Sequence, residues 1–281
     1  MAESTNDNLK TTQGFTLVEL IVAAALTTLL TAFLLIFSGR VLRDWNRISS
    51  KLGAYTELRM VRDTLKLDLQ SAVFRADGRE WLRSVPLSEN SGRGGRGDWL
   101  MFYANVPDHT SEMTKGNALC AISYRLAQQN PTNGNTARPI YGLYRAVADP
   151  QETFAVALDP ATPSLEAFWG SNKGTTRDPL NFRGLLAANV VDFRIIYHYP
   201  DGTTSEPGAA LAIGPTSPQP VAIPMPQHPH SVEAIFTVLS DEGMKQLKAL
   251  SAQQAVAAMD RLIQRYGHTI SQRIKFPPVV L

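Results

Sequence analysis

The stretch that decides the fold is GFTLVEL, residues 14–20, together with the apolar run that continues it. Residues 15–37 read FTLVELIVAAALTTLLTAFLLIF, without proline or glycine, and Glu19 is their one ionisable side chain. Twenty-three such residues are long enough to cross the hydrocarbon core of a bilayer as one helix. A carboxylate at mid-bilayer costs about 2.5 kcal/mol or more, and less near the interface. Glu19 is therefore the first candidate for a functional side chain.

This N-terminus resembles that of type IV prepilins and of the pseudopilins of type II secretion systems. The shared features are a short polar leader that ends in glycine, the sequence Phe-Thr-Leu-Val-Glu-Leu and a hydrophobic helix. The resemblance implies a leader peptide over residues 1–14, which a membrane prepilin peptidase removes by cleavage between Gly14 and Phe15. It also implies N-methylation of Phe15, the new N-terminal residue.

In that superfamily, the residue at the position of Glu19 pairs with the N-terminal ammonium of a neighbouring subunit during assembly. The physics agrees, because a buried ammonium and a buried carboxylate are each costly alone and tolerable together. The alternative is a side chain that snorkels to the membrane interface.

Beyond the apolar run, residues 38–281 are enough for one sizeable domain with its own core, which we favour over two domains. A hydrophobic content of 44% and a charged content of 19% are those of a globular protein and exclude wholesale disorder. The net charge of +2 is too small to indicate a nucleic-acid or anionic-lipid partner. Cys120 is the one cysteine, so no disulfide forms within the chain.

The charges around the apolar run give two conflicting topologies. The leader has no apolar core of its own and carries one lysine against two acids, so it is not an ordinary secretory signal. Four basic residues follow the run, at positions 40, 43, 47 and 51, and the positive-inside rule would place the C-terminal domain in the cytoplasm. The prepilin resemblance implies the opposite, and we follow it: a single-pass protein of the inner membrane whose C-terminal domain is exported to the periplasm.

The helical pattern continues past the apolar run. Apolar residues recur there at steps of three or four: Leu42, Trp45, Ile48, Leu52, Tyr55, Leu58, Val61, Leu65 and Leu69. One helix from about Phe15 to about Val73 would be roughly 90 Å long at 1.5 Å per residue. We expect a transmembrane half over 15–37 and an amphipathic half over 38–75, with Gly39 and Gly53 as candidate bends. The alternative is that the second half is a core helix of a separate anchored domain.

Residues 76–281 read as a β-rich domain. Runs of aromatic and β-branched residues lie at 99–106, 118–125, 140–145, 190–199 and 232–239, separated by turn signals and a proline-rich loop over 214–229. Ser251 and Gln254 form a capping box before an apolar helical face, which consists of Val256, Met259, Leu262, Ile263 and Tyr266. A shorter helix over 241–250 and a last strand over 273–276 flank it. The prediction is an α+β, pilin-like fold: the long N-terminal helix packs on an antiparallel sheet with decorated loops and a C-terminal helix.

Short downstream motifs resemble those of J-type minor pseudopilins. They are LDLQSAV at 67–73, Tyr-Arg at 124–125, GLYR at 142–145, VDFR at 191–194 with a later Asp-Gly, and Val-Glu-Ala at 232–234. The stretch FYANVP at 102–107 and the insertion over 240–250 look more like the prepilin-like family called Verru_Chthon cassette protein C. Ile36 stands where major pilins often carry a helix-kinking proline, which favours a minor pilin or a pseudopilin.

Three patterns invite a ligand and are better explained without one. GRGGRG at 92–97 matches G-x-G-x-x-G, but a strand-like run follows where dinucleotide binding needs a helix, so a loop is favoured. His228 and His230 lack a third metal ligand at a suitable spacing, and Cys120 lies among apolar residues of a predicted strand. We therefore expect no catalytic residue, no cofactor, no metal and no small-molecule substrate.

The sequence predicts a non-enzymatic, minor pilin or pseudopilin-like subunit of a prepilin-derived filament. Its expected partners are the prepilin peptidase, other pilin or pseudopilin subunits and inner-membrane lipid. Two alternatives stay open: a membrane-anchored periplasmic enzyme or receptor, and a minor pilin for adhesion or DNA uptake. The first would keep residues 1–14 and be indifferent to Glu19. The second would be favoured by an exposed basic stripe.

Overall fold

A single helix, α1, begins the fold and runs over Leu17–Gln70. The computed structural model describes residues 16–75, 79–87, 96–107, 117–129, 140–171, 184–207, 210–213 and 229–277, and the chain divides into two units, Met1–Ser50 and Lys51–Leu281. The prediction of one long N-terminal helix is confirmed. Gly39 and Gly53 both lie inside α1, so neither ends it.

The first unit contains the apolar part of α1. Leu17–Leu42 is a span of 26 residues with a mean hydropathy of 2.6, and none of it is buried within the protein. A helix of that length and composition can cross a bilayer. The predicted transmembrane boundaries, 15–37, lie within two residues of this span at the start and five at the end, and the division of the helix into halves stays a prediction.

The second unit buries one face of α1 against a sheet. Leu58, Val61, Leu65 and Leu69 follow one another at steps of three and four, and all are completely buried in the main core. At the end of the helix, Val73 N–H donates to the carbonyl of Tyr103 at 2.8 Å. The last four positions of the predicted apolar stripe are therefore buried as expected, and burial of a full leucine side chain contributes about 1.5–3 kcal/mol. Leu42, Trp45, Ile48 and Tyr55, predicted on the same stripe, are exposed instead.

Nine strands form one sheet in the described part of the chain. Their bounds are β1 Leu82–Leu87, β2 Arg96–Pro107, β3 Asn117–Gln129, β4 Ile140–Val147, β5 Leu185–Ala188, β6 Val190–His198, β7 Leu211–Ile213, β8 Ser231–Leu239 and β9 Gly267–Lys275. The order is β5-β4-β3-β2-β6-β8-β9, and β1 pairs with both β2 and β7. The five predicted strand runs correspond to β2, β3, β4, β6 and β8, whereas β1, β5 and β7 were not predicted.

The sheet is mixed, which corrects the prediction of a purely antiparallel one. Among the described strands, β2 and β6 pair in parallel, through Arg96 with Asp192 and Gly97 with Phe193. Antiparallel order follows from tight hairpins, whereas β6 returns to β2 only after β3, β4, β5 and a helical connection. A sequence without a hairpin signal between the two strands does not fix their relative direction.

A helical segment covers the second face of the sheet and was not predicted. It comprises α2 Pro150–Glu152, a π-helical turn Thr153–Ala157 and α3 Leu165–Ser171. Tyr103 Oη donates to the carbonyl of Ala157 at 2.9 Å, and the backbone N–H of Ala121 donates to Thr153 Oγ1 at 3.0 Å. These bonds give two polar groups of the buried interface between the segment and the sheet a partner.

Helices α4, Asp241–Lys248, and α5, Ala252–Tyr266, confirm the predicted C-terminal helical region. The capping box is present: Gln254 N–H donates to Ser251 Oγ at 3.4 Å, and Ser251 N–H donates to Gln254 Oε1 at 3.1 Å. Val256, predicted on the apolar face, is 45% exposed instead. Strand β9 follows α5 directly and starts six residues before the predicted last strand.

Gly97 fits the junction of β2 and β6 because it has no side chain. Its φ is +142°, a conformation that is nearly restricted to glycine, and a Cβ there would lie 2.2 Å from the carbonyl oxygen of Phe193. Gly202 also has a positive φ, +86°, but a Cβ there would meet nothing within 4 Å. A side chain at Gly97 would meet both backbone strain and a steric clash, whereas a side chain at Gly202 would meet backbone strain alone.

Gly97→Ala should lower the free energy of unfolding by about 3 kcal/mol or more, because strain and a backbone clash add. The matched control Gly202→Ala should lose only about 1–2 kcal/mol. Urea unfolding of the full chain in detergent measures both. Equal losses in the two variants would contradict the close packing of Gly97 on β6.

Candidate functional site

Glu19 lies in the first turn of α1 and is held by the residue before the helix. Thr16 N–H donates to Glu19 Oε2 at 2.9 Å, and Thr16 Oγ1 donates to the same oxygen at 2.9 Å. The N–H of Glu19 donates in return to Thr16 Oγ1 at 3.3 Å. These reciprocal bonds are those of a capping box.

The capping box gives Glu19 a partner within its own chain. The first N–H groups of a helix have no intrahelical acceptor, and the positive end of the helix dipole favours a carboxylate there. Thr16 was not predicted as a functional residue, although the pattern Thr-x-x-Glu at 16–19 is the sequence signal for such a cap. Glu19 therefore caps its own helix.

The residues of the predicted cleavage and methylation site, Gly14 and Phe15, lie outside the described residues. Thr16 is the first described residue, and α1 begins immediately after it. The processing reactions therefore stay predictions.

Comparison with known proteins bears on this N-terminal segment. A family model described as the prokaryotic N-terminal methylation motif matches residues 9–35. The chain carries a prepilin-type N-terminus. No curated protein matches the chain. Among solved structures, it is similar to a type IV-like pilin from Thermus thermophilus with 12% identity and a TM-score of 0.40, over 79% of this chain and 96% of that one.

The prepilin-type motif overlaps the exposed apolar helix. It extends through residue 35, and the helix is apolar through Leu42. In the described residues, this is the one helix long and apolar enough to span a membrane. These observations together indicate a membrane anchor at Leu17–Leu42 that carries a prepilin-type N-terminal motif.

A buried ion pair joins the far end of α1 to the sheet. Arg145 on β4 donates to Asp68 through Nε at 2.7 Å and through Nη2 at 2.9 Å, a bidentate arrangement. Tyr124 on β3 donates its hydroxyl to Asp68 Oδ2. The three residues come from the motifs at 67–73, 124–125 and 142–145, so the structure brings together segments that the sequence analysis noted separately.

The electrostatics favour the protonated forms of Tyr124 and Arg145. Burial, and then the charge of Asp68, raise the pKa of Tyr124 well above its ordinary value. Burial opposes the charge of Arg145, but its hydrogen bonds to Asp68 outweigh that effect and raise its pKa. Tyr124 therefore stays a donor and Arg145 stays a cation at every physiological pH. The cluster is a fixed anchor and not an acid-base site.

A second polar cluster resembles a catalytic triad in composition but not in geometry. His198 Nε2 lies 3.1 Å from Glu233 Oε2, and Ser271 donates its hydroxyl to Glu233 Oε1. The hydrogen bond from Ser271 is the main cause that lowers the pKa of Glu233. A hydroxyl nucleophile needs contact with the base, and here the carboxylate stands between Ser271 and His198. The arrangement therefore does not activate Ser271.

The other candidate ligand residues take structural positions. Gly97 belongs to β2 while 92–95 lie outside the described residues, and Asp98, the residue that follows the G-x-G-x-x-G match, is completely buried. His228 also lies outside them, and His230 Nε2 contacts Arg273 Nη2 at 3.0 Å. Cys120 is buried. No group of three metal-ligating side chains occurs in the described ranges.

A shallow cleft lies between the end of α1 and the connection from the π-helical turn to α3. Its charged lining is balanced: Arg75 and Arg79 against Glu80 and Asp159. Glu80 is committed to a bidentate ion pair with Arg83. The lining side chains themselves have no net formal charge.

Asp68→Asn should lower the free energy of unfolding by about 3–5 kcal/mol, because it leaves the guanidinium of Arg145 buried without a counter-charge. Arg145→Met should cost a similar amount, and Asp68→Leu combined with Arg145→Met should cost less than the sum of the two single changes. Urea unfolding of the full chain in detergent gives the three values.

The matched control is Asp63→Asn, one and a half turns earlier on the same helix. Asp63 forms ion pairs with Arg59 and Arg62 at 3.7 Å and 2.9 Å, and its side chain is 49% exposed. Asp63→Asn should therefore lower the free energy of unfolding by less than about 1 kcal/mol. If Asp68→Asn is as mild as this control, the cluster does not anchor α1.

Proposed function

We propose that the chain is cleaved after Gly14 by a prepilin peptidase, methylated at Phe15, and assembled as a minor subunit of a prepilin-derived filament. The filament belongs to a type II secretion system or to type IV pilus-like machinery. The observation that carries the proposal is the methylation motif over residues 9–35, with Glu19 as its one carboxylate in the apolar run. The leader stays in the cytoplasm, the helix crosses the inner membrane, and the C-terminal domain is periplasmic.

Assembly requires Glu19 to change its partner. Cleavage after Gly14 creates an ammonium at Phe15, next to the Thr16 N–H that Glu19 already accepts. In the membrane, the carboxylate is stabilised by the cap and by the ammonium of its own chain, about one turn away. Between staggered subunits, the ammonium of one chain pairs with the Glu19 of the next, which leaves no charge buried alone.

The exposed apolar surface of α1 supports assembly through this helix. Lipid covers Leu17–Leu42 before assembly, but exposed apolar side chains continue past that span, with Trp45 at 68% and Ile48 at 54% exposure. Exposed apolar surface of this kind typically marks an interaction site. Packing of α1 helices side by side covers both parts in a filament.

Gly14→Val should leave the leader attached, because a branched side chain replaces a residue that has none at the cleavage point. Mass spectrometry of the N-terminus should find the full-length chain in the variant and a chain that starts with methyl-Phe15 in the parent. Gly39→Val, a glycine in α1 with nothing within 4 Å, is the matched control and should be processed normally. A Gly14→Val chain that is still shortened by the leader and methylated overturns the processing proposal.

Glu19→Ala should abolish assembly without affecting the folded domain. Removing one member of a desolvated ion pair costs about 3–5 kcal/mol, so crosslinking to neighbouring pilin-like subunits and filament-dependent output should fall sharply. Cleavage and the melting temperature of the second unit should not change, and Glu19→Asp should give an intermediate result because its reach is shorter.

Thr16→Val separates assembly from capping. It removes the hydroxyl from the capping box, a loss of about 1 kcal/mol, but leaves the charge of Glu19 in place. It should therefore assemble far better than Glu19→Ala. If the two variants fail equally, Glu19 acts as a helix cap. If Glu19→Ala assembles like the parent, the anchored enzyme or receptor becomes the better reading.

A further inference from the structure

Strand β2 changes neighbours at Asp98. On one edge, β2 pairs with β1, including Leu87 with Gly97 and Val85 with Trp99. On the other edge, β3 pairs with β2 from Trp99 onward, whereas β6 pairs with Arg96 and Gly97. Asp98 is therefore the residue between the β3 contact and the β6 contact, where the part of the sheet formed by β6, β8 and β9 meets the part formed by β2, β3 and β4.

The side chain of Asp98 extends this short junction. Its Oδ2 accepts the backbone N–H of Ile195 at 2.6 Å, two residues beyond the last paired residue of β6. The residue is completely buried, and Oδ1 has no hydrogen-bond partner among the described residues. A buried carboxylate with one oxygen unsatisfied is costly.

In the described part of the chain, the charged and titratable groups that act on Asp98 come from β6. Asp192 repels it and is itself bonded to Arg194 at 2.9 Å, and Tyr197 lies on the buried side of the same strand. Burial and the charge of Asp192 outweigh the Ile195 N–H and Arg194, and raise the pKa of Asp98 to about 6. Burial likewise raises the pKa of Tyr197, which therefore stays protonated in this range.

We infer that the junction of β2 and β6 is a proton-dependent lock, which uptake of one proton by Asp98 strengthens as the pH falls from neutral to about 5. An uncharged carboxyl group is cheaper to bury and no longer repels Asp192, while Oδ2 can still accept the Ile195 N–H. The inference concerns the fold of the second unit alone, so it stands or falls independently of filament assembly.

The sign of the effect follows from proton linkage. An unfolded aspartate titrates near about 3.9, so between that value and about 6 the folded chain binds more protons than the unfolded chain. The stabilisation from protonated Asp98 is complete below its unfolded-state pKa and is lost as the pH rises through its folded-state pKa. From pH 7.5 to pH 5, the unfolding equilibrium constant should fall roughly tenfold on account of Asp98.

Other carboxylates also contribute to the pH dependence of unfolding, and their contributions must be separated from that of Asp98. Burial, and then the charge of Asp241, raise the pKa of Glu57, so Glu57 acts in the same direction as Asp98. The lowered pKa of Glu233 acts in the opposite direction. Glu57→Gln therefore serves as the matched control, since it removes a half-buried carboxylate elsewhere and leaves the contribution of Asp98 intact.

The test is urea unfolding of the full chain in detergent at pH 5 and pH 7.5. Asp98→Asn keeps an oxygen for the Ile195 N–H and has no charge, so it should be more stable than the parent at pH 7.5. It should also lose the roughly tenfold change in the unfolding equilibrium constant that Asp98 contributes between pH 7.5 and pH 5. Glu57→Gln should keep that share. An Asp98→Asn chain with the full parental pH dependence, or a parent without any, overturns the inference.

A local measurement covers the case in which Asp98→Asn does not fold. Asp192→Asn removes the repulsion and should shift the midpoint of the pH dependence downward. Hydrogen exchange, corrected for its intrinsic pH dependence, should show greater protection of peptides from β6 at pH 5 than at pH 7.5 in the parent. Protection that changes only in α4 and α5, or a midpoint unmoved by Asp192→Asn, contradicts the lock.

Discussion

The bidentate ion pair between Asp68 and Arg145 is the contact on which the position of α1 in the second unit depends. Hydrophobic packing of Leu58, Val61 and Leu65 is non-directional and tolerates sliding or rotation of a helix. A buried carboxylate that must meet both a guanidinium and the Tyr124 hydroxyl does not, because any shift leaves a desolvated charge unpaired. The ion pair therefore sets the register of the helix on the sheet, and the leucines supply most of the free energy.

One continuous helix thus has two kinds of surface. Its first part has apolar side chains all round, which only lipid or other helices can cover, and its last part has a buried stripe and an exposed polar face. In a filament held together through α1, a load on the first part would reach the sheet through the last. In the proposed assembly function, the contacts of Asp68 and of the leucines near it would therefore carry most of that load.

The sequence was informative where local physics decides the structure. The apolar run, the repeat of leucines along α1 and the capping box at Ser251 each depend on neighbours within a few residues, and each is found as predicted. Strands β1, β5 and β7 have six, four and three residues and take their stability from their partners, so their own sequences carry little signal. The parallel pairing of β2 with β6 and the meeting of Asp68, Tyr124 and Arg145 depend on long-range topology, which one sequence does not fix.

The glycine-rich stretch and Glu19 illustrate how context decides what a motif means. Gly97 ends a match to a dinucleotide-binding pattern, yet the close backbone of Phe193 is what requires a glycine there. The next residue, Asp98, accepts the N–H of Ile195. Glu19 matches an assembly pattern and also caps its own helix through Thr16. In the proposed assembly, a carboxylate already fixed at the helix N-terminus would lose less conformational entropy when it meets the ammonium of a neighbour. The cap would therefore prepare the side chain for the ion pair that we propose between subunits.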